Sequence, residues 1–578
     1  MHVNPRHSNH VRWLSGAVLL LALSACQSSD PSGTFPTGPA PVARDGQALA
    51  SPVECGERRA GRVYDVSIPS PLDAGAPIGA TVFEPAFLTG CESYPLVLSG
   101  AGFGSKRART LVPTDPDTLA FLPFAPVAAL VAAGYGVLSF DHIGHGETAG
   151  LIGLQDPERE GQSVLRVVDW AEANLDWLAY GSGAGGETDN LKLGAIGPSY
   201  GGMYQYMLLG IDPQNRLDAI VPSVTTYDMR YSLFQGDVIK QRWVDALFDG
   251  REDSMSPALV QALQASEAQH RLGAALDAEL EYRSLAYWCD AASGSGALPG
   301  RAYPRRPLPA VNALILQSSR DTLFDLNEAT RSAECLVGNG GDVRLFTVQI
   351  GHNSTGLLTV LGLSDSPTDP GIVYQPDITS TGFICGGMTS IAAITAFFDE
   401  HLKGQSGAAS AIPGPVCLSL TAIDSLTAEQ VQRGGMSLSL PDAGIPVQLG
   451  SDDAVAQTQA LYVQGIGRGA LAGIPLLNVT LSPDDAVDAL SADEVIVYVG
   501  VGHRRAGLLS WDLVDNQLTA ICGLGTHRIE LSGVLEPLGP GDELGLMVYG
   551  ANDNQYPGIA TTPVVSVRLR GEIALPLF

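Results

Sequence analysis

The chain is short of lysine: Lys106, Lys192, Lys240 and Lys403 are the whole supply in 578 residues. Arginine lifts the basic total only to 33, against 61 acidic side chains, for a formal charge of −28. Such a balance argues against nucleic-acid binding and against docking on anionic lipid. No C-x-x-C pair and no other metal signature occurs, so neither a zinc site nor a dithiol centre is expected, and no cofactor. A phosphate-binding P-loop is missing too. The glycine-rich stretch Gly100-Ala101-Gly102-Phe103-Gly104-Ser105 is followed by Lys106 in the wrong frame and by no Lys-Ser/Thr pair. Beyond residue 23 no apolar run approaches membrane-spanning length, and there is no internal repeat.

What the N-terminus does have is an export signal. Arg6, His7, His10 and Arg12 form a basic region, and Leu14 to Leu23 a short apolar core. Leu23-Ser24-Ala25-Cys26 follows and resembles the lipobox of bacterial lipoproteins. That resemblance implies removal of residues 1–25 and acylation of Cys26, against the alternative of an ordinary signal peptide cut nearby. Gln27 after the cysteine resembles the signal for outer-membrane sorting. Residues 26–52 are poor in large apolar side chains and read as a flexible linker. The expectation is a soluble body tethered at the cell envelope, its acidity serving solubility. Seven further cysteines, Cys55, Cys91, Cys289, Cys335, Cys385, Cys417 and Cys522, fit structural disulfides in an oxidising compartment. Cys55 with Cys91 is the natural first pair, and the odd count leaves one thiol or an intermolecular bridge.

The informative stretch is Leu191 to Gln205. A short apolar strand runs into Gly197-Pro198-Ser199-Tyr200-Gly201, and a helical segment from Met203 to Leu209 follows. Glycines on both sides of Ser199 permit a tight strand-to-helix turn that lifts the hydroxyl clear of the sheet. The Tyr200 N–H at the helix start can then face a developing oxyanion. Upstream, the buried strand Tyr94 to Ser99 ends in the glycine-rich loop, whose Phe103 N–H is the second oxyanion donor by position. Residues 62–85 read as two half-buried strands, Pro126 to Ala133 as a helix, and Gly134 to Phe140 as a buried strand. An amphipathic helix with Val164, Val167, Val168 and Ala171 on one face leads to the Ser199 strand. This rhythm demands a mostly parallel sheet covered on both faces.

Residues 226–300 break the rhythm and read as an inserted helical cap whose aromatic residues mostly form its own core. The sheet resumes at Ala313 to Ser318, just before Asp321, and again at Leu345 to Ile350, just before Gly351-His352-Asn353. Ser199, Asp321 and His352 keep the chain order of an α/β-hydrolase triad: nucleophile, orienting acid and base. Asp325 is the rival acid. His142 and His145 read as a turn beside the site rather than as the base, and His401 as a surface residue.

From about Arg62 to Gly404 the chain resembles the α/β-hydrolase superfamily. Gly197-Pro198-Ser199-Tyr200-Gly201-Gly202 looks like the nucleophile turn of the X-Pro dipeptidyl-peptidase and cocaine-esterase group. The cap between serine and acid, the Phe397-Phe398-Asp399-Glu400-His401-Leu402-Lys403-Gly404 ending and a following β-rich domain agree. One departure matters: that group has a tyrosine side chain in the oxyanion loop, where this chain offers Phe103. From residue 411 to 578, short strands between Gly, Pro and Asp turns read as an all-β sandwich or jelly roll. The expected organisation is therefore a hydrolase domain over 53–405 and a β domain over 411–578. The expected activity is that of a serine hydrolase on carboxylic esters, with X-Pro peptides as the alternative within enzymes. A non-catalytic adhesion lipoprotein on the same scaffold is the alternative outside them. A small ester or short peptide is the only partner expected besides the membrane anchor.

Overall fold

The computed structural model describes residues 55–72, 76–111, 125–289, 300–352, 384–421, 423–449, 457–461, 469–483, 495–552, 555–556 and 566–578. The export signal, Cys26 and the linker lie outside these residues, as does Asn353.

One ten-stranded sheet organises the first two thirds. Its strands are β1 (Val63–Ile68), β2 (Ile78–Phe83), β3 (Leu96–Gly100), β4 (Gly136–Phe140), β5 (Leu193–Pro198), β6 (Leu217–Ser223), β7 (Asn312–Ser318), β8 (Val343–Val348), β9 (Val416–Ser419) and β10 (Ser425–Ala428). Across the sheet they run β10-β9-β8-β7-β6-β5-β3-β4-β2-β1. The pairs from β4 through β9 are parallel, and the β1–β2, β2–β4 and β9–β10 pairs antiparallel. Parallel strands must be covered on both faces, and apolar clusters lie on each side. β1 alternates as expected of a half-buried strand, but β2 is buried throughout. Ile78, Ala80 and Val82 face an apolar cluster, and Gly79 and Thr81 lie under the Arg107 side chain, so neither face reaches water.

The helices are α1 (Val127–Ala132), α2 (Glu160–Asn174), α3 (Tyr200–Ile211), then α4 (Met229–Leu233), α5 (Gln241–Phe248), α6 (Pro257–Glu267), α7 (Ala274–Tyr282) and α8 (Leu285–Cys289) between β6 and β7. α9 (Leu326–Val337) follows β7, and α10 (Ser390–His401) precedes β9. The inserted group α4–α8 buries Phe234, Trp243, Phe248, Tyr282, Tyr287 and Trp288, but not in a core of its own: Tyr282, Tyr287 and Trp288 join the apolar cluster of the sheet, and Phe234, Trp243 and Phe248 share a cluster with Tyr200, Met203 and Leu323. Both of its ends are fastened to α9. Glu328 accepts the N–H groups of Tyr227 and Asp228 at the entry, and Cys289 at the exit is bonded to Cys335.

Past β10 the strands leave this sheet. Met436–Ser439, Ser566–Leu575, Leu476–Pro483 and Gly525–Glu530 make one antiparallel layer. Gln457–Leu461, Glu543–Tyr549, Ile496–Arg504 and Asp512–Leu513 make another. Leu477, Val479 and Leu481 of the first share a core with Val497, Val499 and Leu546 of the second, which is a β-sandwich. Cys55–Cys91 and Cys385–Cys417 are the other disulfides, while Cys522 keeps its thiol beside the Arg271 guanidinium.

Candidate active site

The strand order reverses between β3 and β5, so the loops leaving their carboxyl ends diverge and open a crevice. Ser199 stands there as the N-cap of α3 with φ +56° and ψ −119°, a strained conformation for a residue with a Cβ. Its neighbours explain how the turn closes so tightly. A Cβ on Gly197 or Gly201 would run into the Gly100 carbonyl, so both glycines are required where the β3 loop meets the turn. The turn is then braced from β6: Ser199 N–H donates to the Ser223 carbonyl (2.8 Å), and Thr225 Oγ1 donates to the Ser199 carbonyl (2.9 Å). Gln205 on α3 bridges the Gly201 carbonyl and the Val221 N–H.

Parallel registry brings the partners to the same edge, with Pro198 opposite Ser223, Ser223 opposite Leu316 and Ser318 opposite Val348. His352, four residues past β8, has Nε2 3.0 Å from Ser199 Oγ and Nδ1 2.8 Å from Asp321 Oδ2. Asp321 Oδ1 accepts the N–H groups of Leu323 and Phe324, each at 2.9 Å, which fixes the carboxylate and leaves Oδ2 for the imidazole. Ser199, Asp321 and His352 are 5%, 0% and 4% exposed, so bulk water does not compete for these bonds. The rings of Phe324 and Trp243 stand edge-on to His352 at 5.2 and 5.5 Å.

The expected oxyanion donors are the N–H groups of Tyr200 and Phe103. Tyr200 N–H is the first amide of α3 and has no acceptor within the helix. The Phe103 ring meets Tyr200 and His145 edge-on, each at 5.6 Å, and Phe248 at 5.9 Å, with the Arg251 guanidinium 5.7 Å above it. Phe103 therefore belongs to an aromatic wall, and its contribution to an oxyanion would come from its backbone. His142 and His145 pack at 5.1 and 5.2 Å from the Tyr200 ring, behind the site. Burial pushes both imidazoles below their ordinary value, so they are neutral at pH 7. The Tyr200 hydroxyl accepts the Gln155 N–H at 3.0 Å and lies 3.5 Å from Glu160, whose carboxyl burial raises to about 7.

Asp325 does not approach His352. It caps α9 by accepting the Asn327 N–H, and its second oxygen accepts the Tyr231 hydroxyl at 2.8 Å. His401, expected at the surface, is half-buried instead: its ring lies on Phe397 at 4.5 Å and Nε2 meets Asp342 at 3.1 Å. Sequence reading does not single out Gln205 or Thr225 for the site, and it offers Trp243 only as one of several cap aromatics that line a pocket or form a core. Each is a lone polar or aromatic residue within an otherwise ordinary element. Among the described residues no group of His, Cys, Asp or Glu is placed to hold a metal ion, and no helix is long and apolar enough to cross a membrane.

Comparison with known proteins agrees with this architecture. The family model of the X-Pro dipeptidyl-peptidase (S15 family) matches residues 74–354, from β2 to just past His352. A CocE/NonD family hydrolase from Staphylococcus aureus superposes with a TM-score of 0.57 at 12% identity, over 92% of this chain and 99% of that one. An α-amino acid ester hydrolase gives 0.60 at 15% identity over 95% and 100%. An aminopeptidase from a marine-sediment Thaumarchaeota archaeon gives 0.56 at 14% over 95% and 100%. The sequence finds no match among curated proteins. The fold is that of the α/β-hydrolases with a C-terminal β domain, and the chain is a hydrolase, of serine type by its family match.

Proposed function

We propose that this serine hydrolase, similar to the X-Pro dipeptidyl-peptidase and cocaine-esterase group, cleaves carboxylic esters through an acyl-enzyme on Ser199. The observation that carries the reading is the unbroken hydrogen-bonded chain from Ser199 Oγ through His352 to Asp321. A serine hydroxyl is a weak nucleophile until a base accepts its proton. As Oγ bonds to the carbonyl carbon, His352 Nε2 takes that proton and the carbonyl electron pair moves onto oxygen. The N–H groups of Tyr200 and Phe103 stabilise the oxyanion, each donor contributing about 3 kcal/mol. Collapse expels the alkoxide, which leaves as the alcohol with the proton from His352. Water then repeats the sequence on the acyl-serine and releases the carboxylic acid. Asp321 stays ionised and holds the imidazolium.

The lining supports an uncharged acyl group. Trp243 and Phe324 stand against the base, Phe103 and Phe248 pack together beside Tyr200, and the acidic groups nearby are engaged elsewhere, Asp325 by Tyr231 and Glu160 by the Asp156 N–H. Ester hydrolase and aminopeptidase both occur among the structural neighbours, so fold alone does not choose, and the family match favours X-Pro peptides as the second reading. Turnover of p-nitrophenyl esters of graded chain length beside an X-Pro anilide separates the two. Faster ester cleavage is expected, and a faster anilide reverses the assignment. A fluorophosphonate should label wild type and spare Ser199→Ala; labelling of both would remove Ser199 from the mechanism.

We also propose that Cys26 carries a lipid anchor and that residues 27–52 are its tether, supported by the lipobox-like Leu23-Ser24-Ala25. Cys26→Ser should move esterase activity from the membrane pellet to the soluble fraction. Retention in the pellet would mean another means of attachment.

A further inference from the structure

The turn that carries Asp321 is held by side chains from three separate parts of the chain. From the cap, Lys240 Nζ reaches the carbonyls of Thr322 (3.0 Å) and Leu323 (3.4 Å), and Trp243 Nε1 donates to Thr322 Oγ1 (3.0 Å). From the β domain, Gln517 Nε2 donates to the carbonyls of Asp321 (2.9 Å) and Ser319 (3.2 Å). From the sheet, Gln317 donates to the Phe324 carbonyl (2.6 Å). The N–H groups of Ser319 and Arg320 continue the ladder to Val348 and Ile350, on the stretch that leads to His352.

Two features indicate that this arrangement does more than fill space. Lys240 is 1% exposed, and burying an ammonium is costly where a hydrocarbon side chain would pack as well. Its donors are directed at carbonyls of the acid turn. Gln517 is itself held in place. Neighbouring Asp515 has φ +50°, and its carboxylate accepts the Leu535 N–H (2.7 Å) and lies 3.5 Å from Arg320 Nε and from Ser319 Oγ. The Asn516 carbonyl accepts from Gln555 at 2.8 Å.

We propose that Lys240 and Gln517 are positioning residues for the orienting acid, and that through Gln517 the β domain completes the hydrolase site. The inference rests on the Ser199–His352–Asp321 reading above. With Asp321 Oδ1 occupied by its own turn, the direction of Oδ2 is set by how the turn as a whole is held. A shift of about 1 Å at that carboxylate is enough to cost on the order of a hundredfold in rate.

The test uses the full chain with Gln517→Met, Lys240→Met and the double variant. It measures kcat and KM on a p-nitrophenyl ester, the rate of fluorophosphonate labelling, and thermal unfolding. Each single variant should lose about ten- to a hundredfold in kcat with KM within about twofold, and labelling should slow in parallel. Because both residues hold one turn, the double variant should lose less than the product of the two single losses. Unchanged kcat in the folded variants, or a loss confined to KM, would overturn the proposal. If Lys240→Met does not fold, Gln517→Met, similar in length and lacking the amide group, decides alone. An unlabelled wild type would refute the serine-hydrolase reading itself, whereas a labelled wild type with unaffected variants refutes only the positioning role.

Discussion

Two buried histidines, one in each domain, show how partners rather than residue type assign a role. His352 has a carboxylate on Nδ1 and a hydroxyl on Nε2. His503, in the β-sandwich, has carboxylates on both: Glu536 at 2.7 Å on Nδ1 and Asp542 at 2.9 Å on Nε2. Burial opposes the charged form of His503, but bonding to Glu536 and Asp542 outweighs it and raises the imidazole above its ordinary value. An imidazole fixed as a cation cannot accept a proton, so His503 is a structural bridge between strands. His352 faces an uncharged hydroxyl on Nε2, which is the arrangement the proposed general base requires.

The sharpest way to break this contrast is to make the first site resemble the second. Ser199→Asp would put a carboxylate on His352 Nε2, and aspartate tolerates positive φ better than most residues. Turnover should fall by about three to six orders of magnitude. The His352 ring, followed by NMR, should titrate above its ordinary value; a value at or below it would mean that the second carboxylate does not decide the charge.

A smaller effect is expected from loosening the second site. Glu536→Gln or Asp542→Asn should cost about 1–3 kcal/mol of stability, read by urea unfolding near pH 6. The pH dependence carries a definite sign. Below about 6.5, the reference value for histidine, folded and unfolded chains both hold the His503 proton and the bridge contributes in full. As pH rises, the unfolded chain releases its proton first, so stability falls until the folded value is passed. His503→Gln should flatten that alkaline decline. An unchanged slope would mean that His503 is already neutral.

The smallest effect belongs to His142 and His145, buried without a hydrogen-bonded carboxylate among the described residues. Their folded values are depressed, so stability is present above about 6.5 and lost as pH falls below it. Replacing His142 with glutamine should shift the acid limb of the thermal-midpoint curve to lower pH, by an amount equivalent to about 1 kcal/mol or less. A steeper acid limb in the variant would contradict the neutral assignment.

The hydrogen-bonded Ser199–His352–Asp321 arrangement was legible because each member follows closely on a continuous apolar strand, where order and position carry the inference. Ser199 follows β5, Asp321 follows β7, and His352 follows β8. What holds the acid turn was not legible. Lys240 and Gln517 are isolated polar residues, 81 positions before and 196 after Asp321, and no periodicity links them to it. Alternation in residues 62–85 marks the strands but not their cover, since it does not reveal that Arg107 packs over the second face of β2. The Cys55–Cys91 pair was read correctly from proximity. Cys289–Cys335 and Cys385–Cys417 depend on how the cap and the sheet edge come together, which spacing alone does not encode.

The fastening of both ends of the cap to α9 bears on how substrate enters. A lid swings when one stalk is loose; here the entry stalk is hydrogen-bonded to Glu328 and the exit stalk covalently joined to Cys335. With two anchors on one helix, the insert is held as an arch rather than a door, and α9 itself begins five residues after Asp321. Raising the cap would pull on the helix that follows the Asp321 turn.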